Sequence, residues 1–158
     1  MNTYNRRRMK TIIYSFYIVM IDQFSKILLL NTLGFETSKN IIPNLLNFTL
    51  VKNKGAAFSL FSNSTSILTF VSILATLLLI TIIFKSPPKS YWNFVGLAYL
   101  LGGTVGNGID RLFKGYVLDF FELVPINFPI FNIADVSINI AIVCFIIDII
   151  KDKSRINY

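Results

Sequence analysis

Eight acidic residues, Asp22, Glu36, Asp110, Asp119, Glu122, Asp135, Asp148 and Asp152, are spread through a chain with no histidine and one cysteine. Asp22, Asp110 and Asp135 lie inside or at the ends of apolar runs long enough to cross a membrane. A charged side chain at mid-bilayer costs roughly 2.5–3.5 kcal/mol on insertion scales, so such residues are functional candidates by default. Carboxylates are therefore the first place to look for chemistry. Two of them converging from separate elements suit acid–base hydrolysis. Like charges about 3 Å apart cannot both ionise, so the pair shares one proton. The ionised member deprotonates a water. The protonated member donates to the scissile carbonyl oxygen and later helps expel the amine. That chemistry needs no metal, cofactor or covalent intermediate. The lack of histidine argues against a zinc site. Cys144 lies in an apolar run, has no partner for an intrachain disulfide, and reads as a small core or lipid-facing residue.

Asp119 is set in VLDFF, between apolar neighbours where a solvated loop aspartate would have polar company. A loop that folds back would aim it at the helix ends. Asn132 and Asp135 are three apart in the first turns of the last apolar run. Capping accounts for both, because asparagine is a good N-cap and the helix dipole favours an acid there. Asp135 is nevertheless a charge in a span that otherwise avoids it, and it is shallow enough for water to reach. Asp22 and Lys26 are four apart on one helical face, acid first, the better order for an ion pair. Such a pair either makes both residues insertable or also orders a nearby site. Gly102 and Gly106 form a GxxxG pattern beside Gly103 and Gly108, which close helix packing explains. Packing leaves Asn107, Asp110 and Arg111 unexplained. They fall on one face, with Asp110–Arg111 as a helix-end charge pair or Arg111 as a bidentate partner for another carboxylate.

Four elements must carry these residues. Mean hydropathy is +0.63 in a chain of 158 residues that is 54% hydrophobic, more apolar than a soluble domain of this size. Apolar runs at Thr11–Leu30, Ile67–Phe84, Trp92–Ile109 and Phe131–Ile150 are each long enough to span a bilayer. The expected fold is a single α-helical membrane domain over residues 1–158. RRRMK before an apolar stretch mimics a signal peptide, but DQFSK and further apolar residues follow instead of a cleavage pattern, so a retained helix is expected. Asn47–Val51 is β-prone and KNKG reads as a turn, which places a small sheet-like element at the membrane surface. The segment from Leu112 to Ile130 is apolar for a loop and is expected to pack on the helix ends or dip into the headgroups.

Nine of the fifteen basic residues lie in the N-terminal tail, the Phe84–Trp92 connection and the C-terminal tail. That side carries +7 and the other carries 0, a split that places both termini in the cytoplasm and the carboxylates outside. The overall charge of +7 is a topology signal, and nucleic-acid binding is a poor reading of it.

DQFSK (22–26), NKGAAF (53–58), GGTVGNGIDR (102–111), VLDFF (117–121) and FNIAD (131–135) occur in the order and spacing of lipoprotein signal peptidase, signal peptidase II, and the chain resembles that family over nearly its whole length. Thr104 stands where alanine is often found. The resemblance implies an aspartic endopeptidase of the bacterial cytoplasmic membrane. It would remove signal peptides from diacylglyceryl-modified prolipoproteins, cutting on the N-terminal side of the lipidated cysteine. The catalytic pair would be Asp119 and Asp135. Asp22, Lys26, Asn53, Gly55, Asn107, Asp110, Arg111, Asn132 and Ala134 would support it or bind substrate. Membrane lipids are its implied surroundings. A Ser–Lys peptidase built on Ser25 and Lys26, or on Ser59, is the rival enzyme class. Adjacent helical residues point about 100° apart, however, and do not face each other. A small transporter or assembly factor with buried charges is the rival outside catalysis.

Overall fold

The structure, a computed structural model, describes residues 3–55 and 65–156. Four helices, α1 (Thr3–Leu33), α2 (Thr65–Lys85), α3 (Tyr91–Lys114) and α4 (Ile133–Ile156), carry a small antiparallel sheet of β1 (Ser38–Ile42), β2 (Leu46–Asn53) and β3 (Val117–Leu123), ordered β1-β2-β3. The first three expected runs are helical throughout, and the fourth is helical from Ile133, two residues later than the expected Phe131, because Phe131 pairs with β3 and Asn132 caps the helix. Among the described residues, α1, α2 and α4 are long and apolar enough to cross a membrane. α3 is as long but less apolar, because it packs against all three others and carries the glycines and polar side chains of the interior.

α1 is turned inside out relative to a helix of a soluble protein. Thr11, Ser15, Asp22 and Lys26 are buried, while Phe16, Tyr17, Met20, Phe24, Ile27 and Leu28 are exposed. Lipid is the better solvent for the apolar face, so the polar stripe turns inward. α2 has no charge before its terminal lysine. The hydroxyls of Thr69, Ser72, Thr76 and Thr81 each donate to the carbonyl four residues back, at 2.8–2.9 Å. Those bonds satisfy them within the helix. A Cβ on Gly103 would lie 2.5 Å from the Ala134 carbonyl oxygen, and one on Gly106 would lie 2.7 Å from Asp22 Oδ2. The GxxxG face therefore lets α1 and α4 close on α3, and Gly106 also leaves room for a carboxylate.

α3 runs one turn beyond the expected Ile109 and ends at Gly115, whose φ of 74° suits a left-handed cap and whose N–H donates to the Arg111 carbonyl at 3.2 Å. The chain then turns directly into β3. The Leu112–Ile130 segment is thus partly strand, contrary to the expectation of a loop, because β2 offers it an antiparallel partner, with Val51 opposite Asp119 and Asn53 opposite Val117. Lys52 and Asn53 of the expected KNKG turn belong to β2 for the same reason. Strand alternation sorts the side chains. Leu118 and Phe120 join Leu50 and Leu29 in a buried cluster that docks the sheet on the C-terminal end of α1. Val117, Asp119 and Leu123 point the other way, into a cavity.

Candidate active site

The cavity has a volume of about 1170 Å³ and opens between the sheet, α3 and the first half of α4. Asp119 from β3 and Asp135 from α4 both line it, as do Asn53, Asn107 and Arg111. The two aspartates converge as expected. β3 and the start of α4 lie side by side because Phe131 bridges the edge of β3, its N–H and carbonyl both bonded to the Phe121 backbone at 2.8–3.1 Å.

Asn132 is the hub. It precedes α4 instead of lying inside it, and its Oδ1 accepts from the Asp135 N–H at 3.0 Å while the Asn132 N–H donates to Asp135 Oδ2 at 3.1 Å. This is a reciprocal capping arrangement. The capping read from the sequence is present, and it does not take Asn132 and Asp135 away from the carboxylate pair, since the same side chains also join Asp119 and Asn107. The Asn132 amide then reaches across to Asp119 Oδ1 at 2.6 Å and to Asn107 Oδ1 at 3.0 Å. Asn107 returns its own Nδ2 to Asp135 Oδ1 at 2.8 Å. Asn53 Nδ2 donates to Asp119 Oδ2 at 2.9 Å, and the Gly55 N–H holds the Asn53 oxygen at 2.9 Å, fixing which way that amide faces. Each carboxylate oxygen of the pair thus meets an amide donor, and no lysine or arginine makes an ion pair with either among the described residues.

Asp119 is 1% exposed. Burial, and next the charge of Asp135, push its pKa up to about 6 from the ordinary 3.8, against the pull of the Asn53 and Asn132 hydrogen bonds. A carboxyl that holds a proton near neutrality beside a second carboxylate is suited to general acid–base work.

Behind the pair lies a second polar layer. Lys26 is fully buried and reaches Asp22 at 2.8 Å, Asp110 at 2.9 Å and Asn107 Oδ1 at 3.1 Å. Asp22 Oδ1 accepts from the Ala134 N–H at 2.9 Å, which ties α1 to the start of α4. Asp110 accepts from Lys114 at 2.8 Å and from the Leu118 N–H at 3.3 Å, which ties α3 to β3. The Asp110–Arg111 charge pair expected from sequence does not form, since two lysines outcompete the adjacent arginine. Arg111 makes no bidentate carboxylate contact either. Its Nη1 donates to Ser72 of α2 at 3.2 Å, and its buried Nε has no hydrogen-bond partner. It acts on Asp135, Asp119 and Asp110 through charge alone.

Three members escaped the sequence reading. Gln23 donates to Asp22 at 3.1 Å, to the Gly106 carbonyl at 3.0 Å and to Asp110 at 3.4 Å. Lys114 stands four after Asp110, a spacing that announced it. Ser72 is one of several hydroxyls in an otherwise apolar helix, which by itself announces nothing. The rival Ser–Lys site is absent: Ser25 donates to the Asp22 carbonyl at 2.7 Å, and Lys26 is consumed by carboxylates. Ser59 and Ala56–Phe58 of the second motif lie outside the described residues.

The family described as signal peptidase (SPase) II matches residues 14–151. A lipoprotein signal peptidase of Parasynechococcus marenigrum is 45% identical over 139 residues, covering 87% of this chain and 86% of that one. One from Streptococcus agalactiae is 36% identical over 146 residues, covering 92% and 95%. A bacterial membrane enzyme structure obtained by the in meso method at 2.3 Å superposes with a TM-score of 0.85 at 32% identity, covering 92% of this chain and 90% of that one.

Proposed function

Because the chain belongs to the signal peptidase II family, we propose that it removes signal peptides from prolipoproteins by aspartic catalysis, with Asp119 and Asp135 as the acid–base pair. One observation carries the reading: two carboxylates face one cavity, held only by amides, while every neighbouring lysine is bound elsewhere. Such a pair keeps its proton transferable. Asp119, held up to about 6, is the proton carrier, and filling the cavity with substrate deepens its desolvation in the same direction. Asp135 takes a proton from the attacking water. Asp119 protonates the carbonyl oxygen. The tetrahedral intermediate collapses as the amine leaves with a proton from the pair. The transporter reading needs charges through the depth of the bundle, whereas here the buried charges, Asp22, Lys26, Asp110 and Asp119, gather at its sheet-bearing end.

The substrate is a prolipoprotein whose cysteine already carries diacylglycerol, cut on that residue's N-terminal side. Its apolar signal segment remains in the bilayer, and the bond to be cut lies at the outer surface, where the charge split of the loops places the pair. The protein works in the bacterial cytoplasmic membrane with both termini inside. The test is cleavage by purified protein in lipid. A diacylglyceryl-modified prolipoprotein is shortened by its signal peptide, and the same chain without the lipid is spared. Equal cleavage of both, or of neither, overturns the proposal.

A further inference from the structure

Below the two aspartates the cavity continues along α4 toward the inner side. Val136, Ile138, Ile140 and Val143 form that wall, and Trp92 of α3 lies at its far end. Asn139 interrupts it. This amide is one turn below Asp135, about 6 Å deeper at 1.5 Å per residue. It lines the cavity and is exposed, not clamped between helices. Its Nδ2 donates to the Asp135 carbonyl at 3.1 Å. Its Oδ1 accepts no hydrogen bond from any described residue. The amides of Asn53, Asn107 and Asn132 are all taken up by the network around the two aspartates, and Asn127 lines the cavity from the connection before α4, so among the described residues Asn139 is the one side-chain amide that α4 itself presents to the cavity with an open acceptor. A polar atom with no partner in an apolar setting is costly, and neither packing nor the dyad accounts for it.

A membrane-spanning substrate poses the complementary problem. Within a helix its peptide N–H groups are satisfied, but cleavage requires an extended stretch around the scissile bond. Unwinding one turn in the bilayer leaves N–H groups that each cost several kcal/mol if unpaired. We propose that Asn139 is a substrate-binding residue whose Oδ1 accepts a hydrogen bond from a backbone N–H in the unwound outer turn of the signal segment. This rests on reading the cavity as the prolipoprotein site. At about 3.3 Å per extended residue, the depth of Asn139 below Asp135 places that N–H two or three residues before the cleaved bond. The bond from Nδ2 to the Asp135 carbonyl presets the amide, so little side-chain freedom is lost on binding.

The test uses the full-length protein in lipid and two forms of a synthetic lipidated prolipoprotein. One has every amide. The other has an ester in place of the amide at the second or third residue before the cleaved bond, which deletes the N–H. The variants are Asn139→Leu and Asn139→Ser. The serine hydroxyl can still donate to the Asp135 carbonyl, as the α2 hydroxyls do four residues back, but it lacks the amide oxygen. Both variants raise KM for the all-amide substrate about three- to tenfold, the worth of one net hydrogen bond, with kcat and its pH profile unmoved. The ester at one of those positions costs the wild type the same factor and costs the variants nothing more. A wild-type KM for Asn139→Ser would mean that only the bond to Asp135 matters and would overturn the inference, as would an ester penalty of equal size in wild type and variants. If wild type leaves the all-amide lipidated substrate uncut, the peptidase reading itself falls, and this inference with it.

Discussion

Two pairs of aspartates lie close together at the sheet-bearing end of the helices and are treated in opposite ways. Asp22 and Asp110 face cations: Lys26 stands between them, and Lys114 adds a second contact to Asp110. Asp119 and Asp135 face amides: Asn53, Asn107 and Asn132 supply side-chain donors, and Asn132 adds a backbone N–H. A lysine fixes a carboxylate's charge and turns it into a structural clamp. An amide orients a carboxylate and leaves its proton negotiable. The same residue type is thus suited to scaffold or to proton transfer according to whether its partner carries charge. The layers meet at Asn107, whose oxygen accepts from Lys26 while its nitrogen donates to Asp135.

The sharpest separation comes from the dyad itself. Asp119→Asn and Asp135→Asn each lower single-turnover cleavage by roughly a thousandfold or more, within the range that general acid–base groups contribute, while thermal unfolding shows both variants folded. Retention of a tenth of the wild-type rate by either one breaks the assignment. Lys26→Met acts on the other layer. It strands the buried Asp22, leaves Asp110 with Lys114 alone, and destabilises the fold by about 3–5 kcal/mol, read as a loss of melting temperature before any loss of rate in the folded fraction. A variant as stable as wild type but inactive would move Lys26 into the catalytic layer and erase the distinction.

The smallest effect is in pH. Asp119 binds its proton more tightly folded, at about 6, than at the ordinary 3.8, so its ionisation opposes folding. That contribution is absent well below pH 4 and grows as pH rises through about 6. Between pH 4 and 7 the wild type therefore loses stability relative to Asp119→Asn, by at least roughly 2–4 °C in melting temperature, the shift of about 1 kcal/mol in a chain of this size. A constant gap across that range would show that Asp119 is not held up by its surroundings.

The spans and the carboxylates that converge on the cavity were legible in the sequence because both are local facts: apolar runs of bilayer length, and charges that interrupt them. Asn132 was legible for the same reason, three residues before an acid at a helix start. The long-range partner of Asp110 was not. Spacing names the face of a helix but not the neighbour opposite it, and the adjacent Arg111 was a more visible candidate than Lys26, some eighty residues away. β3 was hidden because its partner β2 lies across the α2–α3 hairpin, and VLDFFEL has no regular alternation of apolar and polar residues. Ser72 was hidden because a serine bonded to its own helix looks the same whether or not an arginine also reaches it.

Lys26 and Lys114 each stand four residues after an aspartate of the same helix, Asp22 on α1 and Asp110 on α3. Each helix therefore brings its own neutralising partner and can enter the bilayer as a self-contained dipole, before the other has been made. Only the crosswise contact from Lys26 to Asp110, 2.9 Å long, requires both. Assembly of α1 on α3 is then the sharing of an existing counter-ion and not the first burial of a bare charge. This lets a chain with three buried charges at its centre be threaded into a membrane one span at a time.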